Sequence, residues 1–186
     1  MKTPFEHFKS DISVVQIDKN HYEGNVSDMW SIGKTPNGGY TMALAAKAIS
    51  ESLEHKDPLI VTANYLNRLN FGKIDIKVET LPSTRSLSSA RATMIQDNEI
   101  KVIFTATFTD LSKATGLNKA FKKEPIFEKY EDCHLHAFKE GFNPGLEKFI
   151  EKKYCSDSIW WKAKDNNQNK NAVSYRHLTL PTTVSV

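Results

Sequence analysis

The sequence predicts an α+β protein in which one long helix lies against an antiparallel sheet. Three observations carry that reading. Gly39 to Leu53 is a single Ala-rich pattern of helical period, and Ile74-Asp75-Ile76-Lys77-Val78-Glu79 alternates strictly between apolar and charged residues. The order of elements is strand, strand, helix, then four strands, which places one helix over a meandering sheet.

Taken in order, Ile12 to Ile17 and Tyr22 to Val26 are short β-branched or aromatic runs separated by the turn residues Asp18-Lys19-Asn20. Trp30-Ser31-Ile32-Gly33 is strand-like and leads through Pro36-Asn37-Gly38-Gly39 into the helix. Two glycines at that junction permit positive φ and let a ligand approach with no Cβ in the way. Along the helix, Tyr40, Ala43, Leu44, Ala48 and Leu53 mark an apolar stripe that Ala45, Ala46 and Ile49 widen. His55-Lys56-Asp57-Pro58 ends it, because the residue before a proline leaves the α region. Val61 to Leu66, Ile74 to Glu79 and Leu87 to Gln96 follow as strands. Asp97-Asn98-Glu99 turns into Ile100 to Phe108, whose Val102, Phe104, Ala106 and Phe108 share one face. After Asp110 the pattern loses its period, which predicts a linker with short helical pieces. Tyr154 to Lys164, with Trp160-Trp161, is a further strand, and Asp165 to Asn171 a polar loop.

Composition narrows the function classes. The 186 residues are 39% apolar and 25% charged, with a net charge of +3, ordinary values for a globular protein. Lys119 to Lys123 and Lys152-Lys153 read as solvated faces, so no nucleic-acid partner is expected. No window approaches the roughly 20 apolar residues of a membrane span. Residues Met1 to Phe8 lack the apolar core of a signal peptide, and two cysteines imply no disulfide framework. The expectation is a cytoplasmic protein.

The candidate chemistry sits at the helix start. A helix N-terminus offers unpaired N–H groups and the positive end of a dipole. The amides of Gly38, Gly39 and Tyr40 are candidate donors to a thioester carbonyl or a phosphate, with Asn37 either capping the helix or facing ligand. One preorganised donor in an oxyanion hole is worth about 3–4 kcal/mol. The competing reading is a helix start that needs glycine for tight packing under the sheet, and it is favoured for this half because no acid precedes Glu51 on the helix. Tyr65 is either a core aromatic or part of an acyl channel, and Arg85 and Arg91 either contact phosphates or are ordinary exposed arginines. Gly33-Lys34-Thr35 mimics the end of a Walker A loop, but Asp28 stands where the first glycine belongs. Cys133, His134, His136 and Cys155 match no standard zinc spacing, so no metal and no cofactor are expected. A Gly-x-Ser-x-Gly elbow is absent.

From Trp30 through Phe108 the chain resembles the hot-dog acyl-CoA thioesterase-like family related to type II acyl-CoA thioesterases. The resemblance is carried by Trp30-Ser31-Ile32-Gly33, Pro36-Asn37-Gly38-Gly39-Tyr40 with its helix, Tyr65-Leu66, Arg85-Ser86-Leu87-Ser88 and Ala106-Thr107-Phe108. Leu66-Asn67-Arg68 departs from the Leu-Arg-Pro of relatives, so the strand end there is expected to differ. Further on the match thins to Pro125 and Glu131-Asp132-Cys133. The resemblance implies a long helix wrapped by an antiparallel sheet, an acyl-CoA or related thioester as partner, and two hot-dog units in one polypeptide. Residues 1–112 would be the first unit, 113–153 a linker and 154–172 the opening of a truncated second unit, with Ile159-Trp160-Trp161-Lys162 echoing Met29-Trp30-Ser31-Ile32. The family's catalytic Asp, hydroxyl residue and Gln lie in the second unit, so no catalytic residue is carried over. The chain is expected to be weak or inactive alone, to serve as the alternative as a non-catalytic acyl-CoA-binding module, and to be able to homodimerise through its sheet. Val173-Ser174-Tyr175-Arg176-His177-Leu178-Thr179-Leu180-Pro181-Thr182 resembles the translation of a transposase adapter used in sequencing libraries, differing at Arg176. Residues 173–186 are therefore expected to be a non-native tail.

Overall fold

Strict alternation of buried and exposed positions builds the sheet. In the computed structural model, which describes residues 3–116, 119, 127–156, 159 and 173–176, the chain divides into two compact units. One is Glu6–Thr115; the other combines Met1–Phe5 with Gly116–Val186.

In the larger unit, β1 (Val14–Asp18), β2 (His21–Val26), β5 (Asp57–Tyr65), β6 (Gly72–Thr80), β7 (Ser88–Gln96) and β8 (Glu99–Thr109) form one six-stranded sheet in the order β1-β2-β6-β7-β8-β5. Every pairing is antiparallel. Between β2 and β5 come a minimal hairpin, β3 (Ser31–Ile32) with β4 (Thr35–Pro36), and the helix α2 (Gly38–Ser52). Ile74, Ile76 and Val78 of β6, Ala90, Ala92 and Met94 of β7, and Val102, Phe104, Ala106 and Phe108 of β8 are all buried. They cover Leu44, Ala45, Ala48 and Ile49 of α2, each 0% exposed. The i, i+4 and i+1, i+5 spacing of those four positions is one helix face. Ala43 and Ala46, expected on the stripe, are only half-buried because they lie off that face. This is the expected enveloped helix, and the α+β hot-dog class is realised.

Turn chemistry explains the joints. Asp97 (φ 55°) and Asn98 (φ 63°) form a two-residue left-handed turn, so Glu99 already pairs with Gln96 in the ladder instead of belonging to the turn. β5 starts at Asp57, four residues before the expected Val61, and includes Pro58. Proline is tolerated there because β5 is an edge strand with a register shift between Pro58 and Ile60. At its other end Leu66 N and Asn67 N both donate to Lys101 O (2.9 and 3.0 Å), which turns the chain out of the ladder at the expected point of departure.

An element absent from the sequence reading is α1 (Pro4–Asp11). Phe8 sets its ring edge-on to Trp30 with centroids 5.1 Å apart, and Trp30 Nε1 donates to Asp11 Oδ2 at 2.8 Å.

In the smaller unit β9 (His134–His136), β10 (Glu151–Tyr154) and β11 (Val173–Arg176) pair antiparallel in the order β11-β10-β9. Tyr154 is the last residue of β10, not the first of a strand. Trp160-Trp161, the Asp165–Asn171 loop and residues 177–186 lie outside the described residues.

Candidate functional site

The helix start is set by a two-residue hairpin. Gly33 takes φ +61° at the first central position of the turn between β3 and β4, a conformation that glycine adopts without a Cβ penalty. The hairpin returns the chain so that Asn37 N donates to Trp30 O at 2.8 Å. Asn37 then caps α2, its Oδ1 accepting from Tyr40 N at 3.2 Å. Thr41 N donates to Asn37 O at 3.1 Å. Two orphan amides are left at the helix start, those of Gly38 and Gly39, and no hydrogen bond engages them among the described residues.

The reason for the glycine pair differs from the expected one. Neither glycine has positive φ; both are helical. At Gly38 the constraint is close approach: a Cβ would stand 3.0 Å from the Tyr65 hydroxyl and 3.3 Å from its Cζ. At Gly39 a Cβ would stand 3.1 Å from Asn37 Oδ1, crowding the cap.

Beside this terminus lies a cleft of about 490 Å³, bordered by Thr35, Pro36, Gly38, Thr41 and residues 65–69. Tyr65, half exposed, donates to Gly38 O at 2.6 Å, and Thr41 Oγ1 donates to the same carbonyl at 2.9 Å. Arg68 donates from Nη2 to Lys34 O and is the one charged side chain lining the cleft. Among the described residues no carboxylate and no histidine borders it. Such an arrangement can hold an anion or a polarised carbonyl at the helix start beside Gly38, with hydroxyls at the rim, and among the described residues it supplies no general base.

Of the residues singled out in the sequence, Asn37, Gly38, Gly39 and Tyr65 come together here. Tyr40 contributes differently, since its amide is spent on the cap and its ring is buried at 3% exposure against Trp30. Its hydroxyl accepts from Ser27 N at 3.0 Å and lies 3.0 Å from Asp11 O and 3.1 Å from Asn25 O. Burial pushes the phenol up to about 12. Sequence reasoning missed Thr41 and Arg68. Thr41 was signalled by its position three residues after Gly38, one helical turn on; Arg68 carried no signal. Glu51, the first acid on α2, is tied to Lys47 one turn before it, and that hydrogen bond holds its carboxyl below the usual range.

Arg85 belongs to a separate cleft of about 760 Å³ at the C-terminal end of α2. Two of the cations there, Lys56 and Lys113, are already engaged. Lys56 Nζ donates to Ser50 O and Leu53 O, both at 2.6 Å, and so caps the helix, while Lys113 pairs with Asp110 at 2.7 Å. Arg91 is exposed on β7 opposite Glu79, away from both clefts. Cys133 and Cys155 do meet, but with Glu128; His136 lies instead by Asn143 and Glu147.

A helix enveloped by a six-stranded antiparallel sheet defines a hot-dog unit. Residues 26–109 match the family model described as Acyl-CoA thioesterase N-terminal domain, and this unit is similar to the hot-dog thioesterase-like family. Over 92 residues the chain is 30% identical to thioesterase-like protein TwmA of Talaromyces wortmannii, a match spanning 48% of this chain and 26% of that protein. Among solved structures, a protein provisionally assigned as thioesterase II from Thermobifida fusca YX aligns with TM-score 0.75 at 19% identity, covering 84% of this chain and 58% of that one. A hot dog fold protein of unknown function from Alicyclobacillus acidocaldarius aligns with TM-score 0.71 at 20% identity over 86% of this chain and 59% of that one. The chain thus spans about a quarter of the curated relative and under three fifths of these structures. Among the described residues no helix is long and apolar enough to cross a membrane.

Proposed function

We propose that this unit binds acyl-CoA or a related thioester, with the thioester carbonyl against the Gly38 and Gly39 amides and the adjoining chain in the cleft along Pro36, Leu66 and Leu69. The observation that carries the reading is a helix start with two unbonded amides beside a cleft that Gly38 lines, where a Cβ at position 38 would crowd Tyr65. The description of the matching family, an acyl-CoA thioesterase domain, supports the choice of substrate.

In this reading the chain is the N-terminal half of a double hot-dog acyl-CoA hydrolase that works in the cytoplasm. A second hot-dog unit opening near residue 154 supplies the acid that activates water. The β5 edge, with Leu59, Ile60 and Tyr65 exposed, is where a second copy of this chain adds its strands. A second reading, a non-catalytic acyl-CoA-binding module, is favoured for this chain alone by the lack, among the described residues, of any carboxylate bordering the cleft.

Both readings meet one experiment. Palmitoyl-CoA is titrated into the chain by calorimetry, and thiol release is followed in parallel. Binding with thiol release far below that of the full-length gene product is the expected result. Gly38→Ala, which thrusts a methyl at the Tyr65 hydroxyl, should weaken binding at least tenfold. Absence of binding, or equal binding by Gly38→Ala, contradicts the proposal.

A further inference from the structure

Cys133 and Cys155 are the chain's two cysteines, and the fold of the smaller unit sets them face to face. The β9–β10 ladder pairs Lys152 with His136, Lys153 with Leu135 and Tyr154 with His134. One step further along the same register, Cys155 stands opposite Cys133. Opposed residues of an antiparallel pair have Cα atoms about 4.5–5.5 Å apart, within the roughly 4.4–6.8 Å that a disulfide bridges. The sulfurs are 3.9 Å apart, both thiols are free, and both residues are buried, at 7% and 3% exposure. Two lone cysteines brought into ladder register from 22 positions apart form a built pair, not a scatter of small apolar residues.

We propose that Cys133 and Cys155 are a dithiol modification site that closes to a cross-strand disulfide by exchange with a low-molecular-weight disulfide such as oxidised glutathione. One cysteine thiolate attacks a sulfur of the small disulfide, breaking its S–S bond, forming a mixed disulfide and releasing one small thiolate, which takes up the proton the cysteine lost. The second cysteine, deprotonated in turn, displaces the remaining small thiol and forms the protein S–S bond. Two electrons pass from the cysteine pair to the small disulfide, and two small thiols leave. Entry requires the cover over the pair to open: the Glu128 carboxylate accepts from Ser156 N at 3.0 Å and from Ser156 Oγ at 3.1 Å. The same Glu128 is the pair's competitor for another role, since its oxygen and the two sulfurs lie within 4.8 Å of one another and could hold a metal ion. That group supplies three protein donors where structural zinc sites use four, which favours the disulfide.

The test equilibrates the intact chain in glutathione buffers from fully reduced to fully oxidised. Thiols are trapped with N-ethylmaleimide after denaturation, and the products are read by mass spectrometry. The expected result is loss of both thiols together, with a monomeric product two hydrogens lighter and a crosslinked Cys133–Cys155 peptide. Cys133→Ser and Cys155→Ser should each instead accumulate one mixed disulfide with glutathione. Two titratable thiols persisting in fully oxidised buffer, or disulfides found only between chains, overturn the proposal. So does one equivalent of zinc retained by the reduced chain on dialysis, with both thiols protected from trapping; that outcome assigns the pair to a metal. The wild-type readout stands even if a serine variant fails to fold.

Discussion

Residues 6–115 and 127–156 are held by different chemistry. In the first, the contact between α2 and the sheet is almost wholly apolar, with Leu44, Ile49, Met94, Val102 and Phe104 each 0% exposed. In the second, beside the buried Cys133–Cys155 pair and the edge-on rings of His136 and Tyr154, polar contacts recur: Glu147 bridges Lys152 and, at 3.8 Å, His136, Lys148 pairs with Glu140, and Lys153 Nζ sits 4.1 Å over the Tyr130 ring while donating to Tyr130 O. Burial of apolar area is not screened by salt, whereas an exposed ion pair such as Lys148–Glu140 weakens as salt screens it. The difference teaches where a rigid site can be built. A cleft that must hold two amides in a fixed direction belongs on the apolar-cored unit, and that is where the Gly38 terminus lies.

Four substitutions sharpen this contrast, from the largest expected effect to the smallest. Phe104→Ala empties the centre of β8 and should cost about 3–5 kcal/mol in denaturant unfolding of the larger unit. A cost near zero would mean that the helix is not enveloped as described. Tyr40→Phe leaves the Ser27 amide without its buried partner and should cost about 1–3 kcal/mol. The same residue sets an alkaline limit. Its folded pKa of about 12 lies above the ordinary phenol value of 10.0, so the unfolded chain ionises first. Its contribution to stability is complete below pH 10 and is lost as pH rises toward 12. Melting temperature plotted against pH should fall through that window more steeply in the wild type than in Tyr40→Phe. Asn37→Ala removes the cap of α2 and should cost about 1 kcal/mol in thermal unfolding. Glu147→Gln acts in the other unit: it weakens a mostly buried ion pair, and the opening free energy that protects amides over residues 134–154 from exchange should fall by roughly 1 kcal/mol, with residues 88–108 unchanged.

The sheet was readable because β6, β7 and β8 alternate cleanly, and one face of each must be buried whatever its neighbours are. The helix was readable from its small apolar residues, and the cleft from the Asn-Gly-Gly junction. What stayed hidden depended on contacts distant in sequence. Gly38 looks like a residue chosen for positive φ until Tyr65, 27 positions later, is seen to occupy the space of its Cβ. Pro58 reads as a barrier to strand structure unless β5 is known to be an edge. Cys133 and Cys155 look unrelated because the register joining them is set by the whole connection between β9 and β10. α1 was different: Thr3-Pro4-Phe5-Glu6 carries the local start signal of a helix, with proline at the first turn and an acid three residues after a threonine. That signal was local and was passed over.

The account rests on the Gly38 and Gly39 amides being the point where a thioester meets the chain. The most direct measurement is amide chemical-shift perturbation as palmitoyl-CoA is added to isotope-labelled protein. The account predicts the largest shifts at Gly38 and Gly39, with smaller ones at Thr41 and Tyr65 and none at Arg85. Shifts centred on His55, Arg85 and Lys113 with the glycine amides unmoved would contradict it.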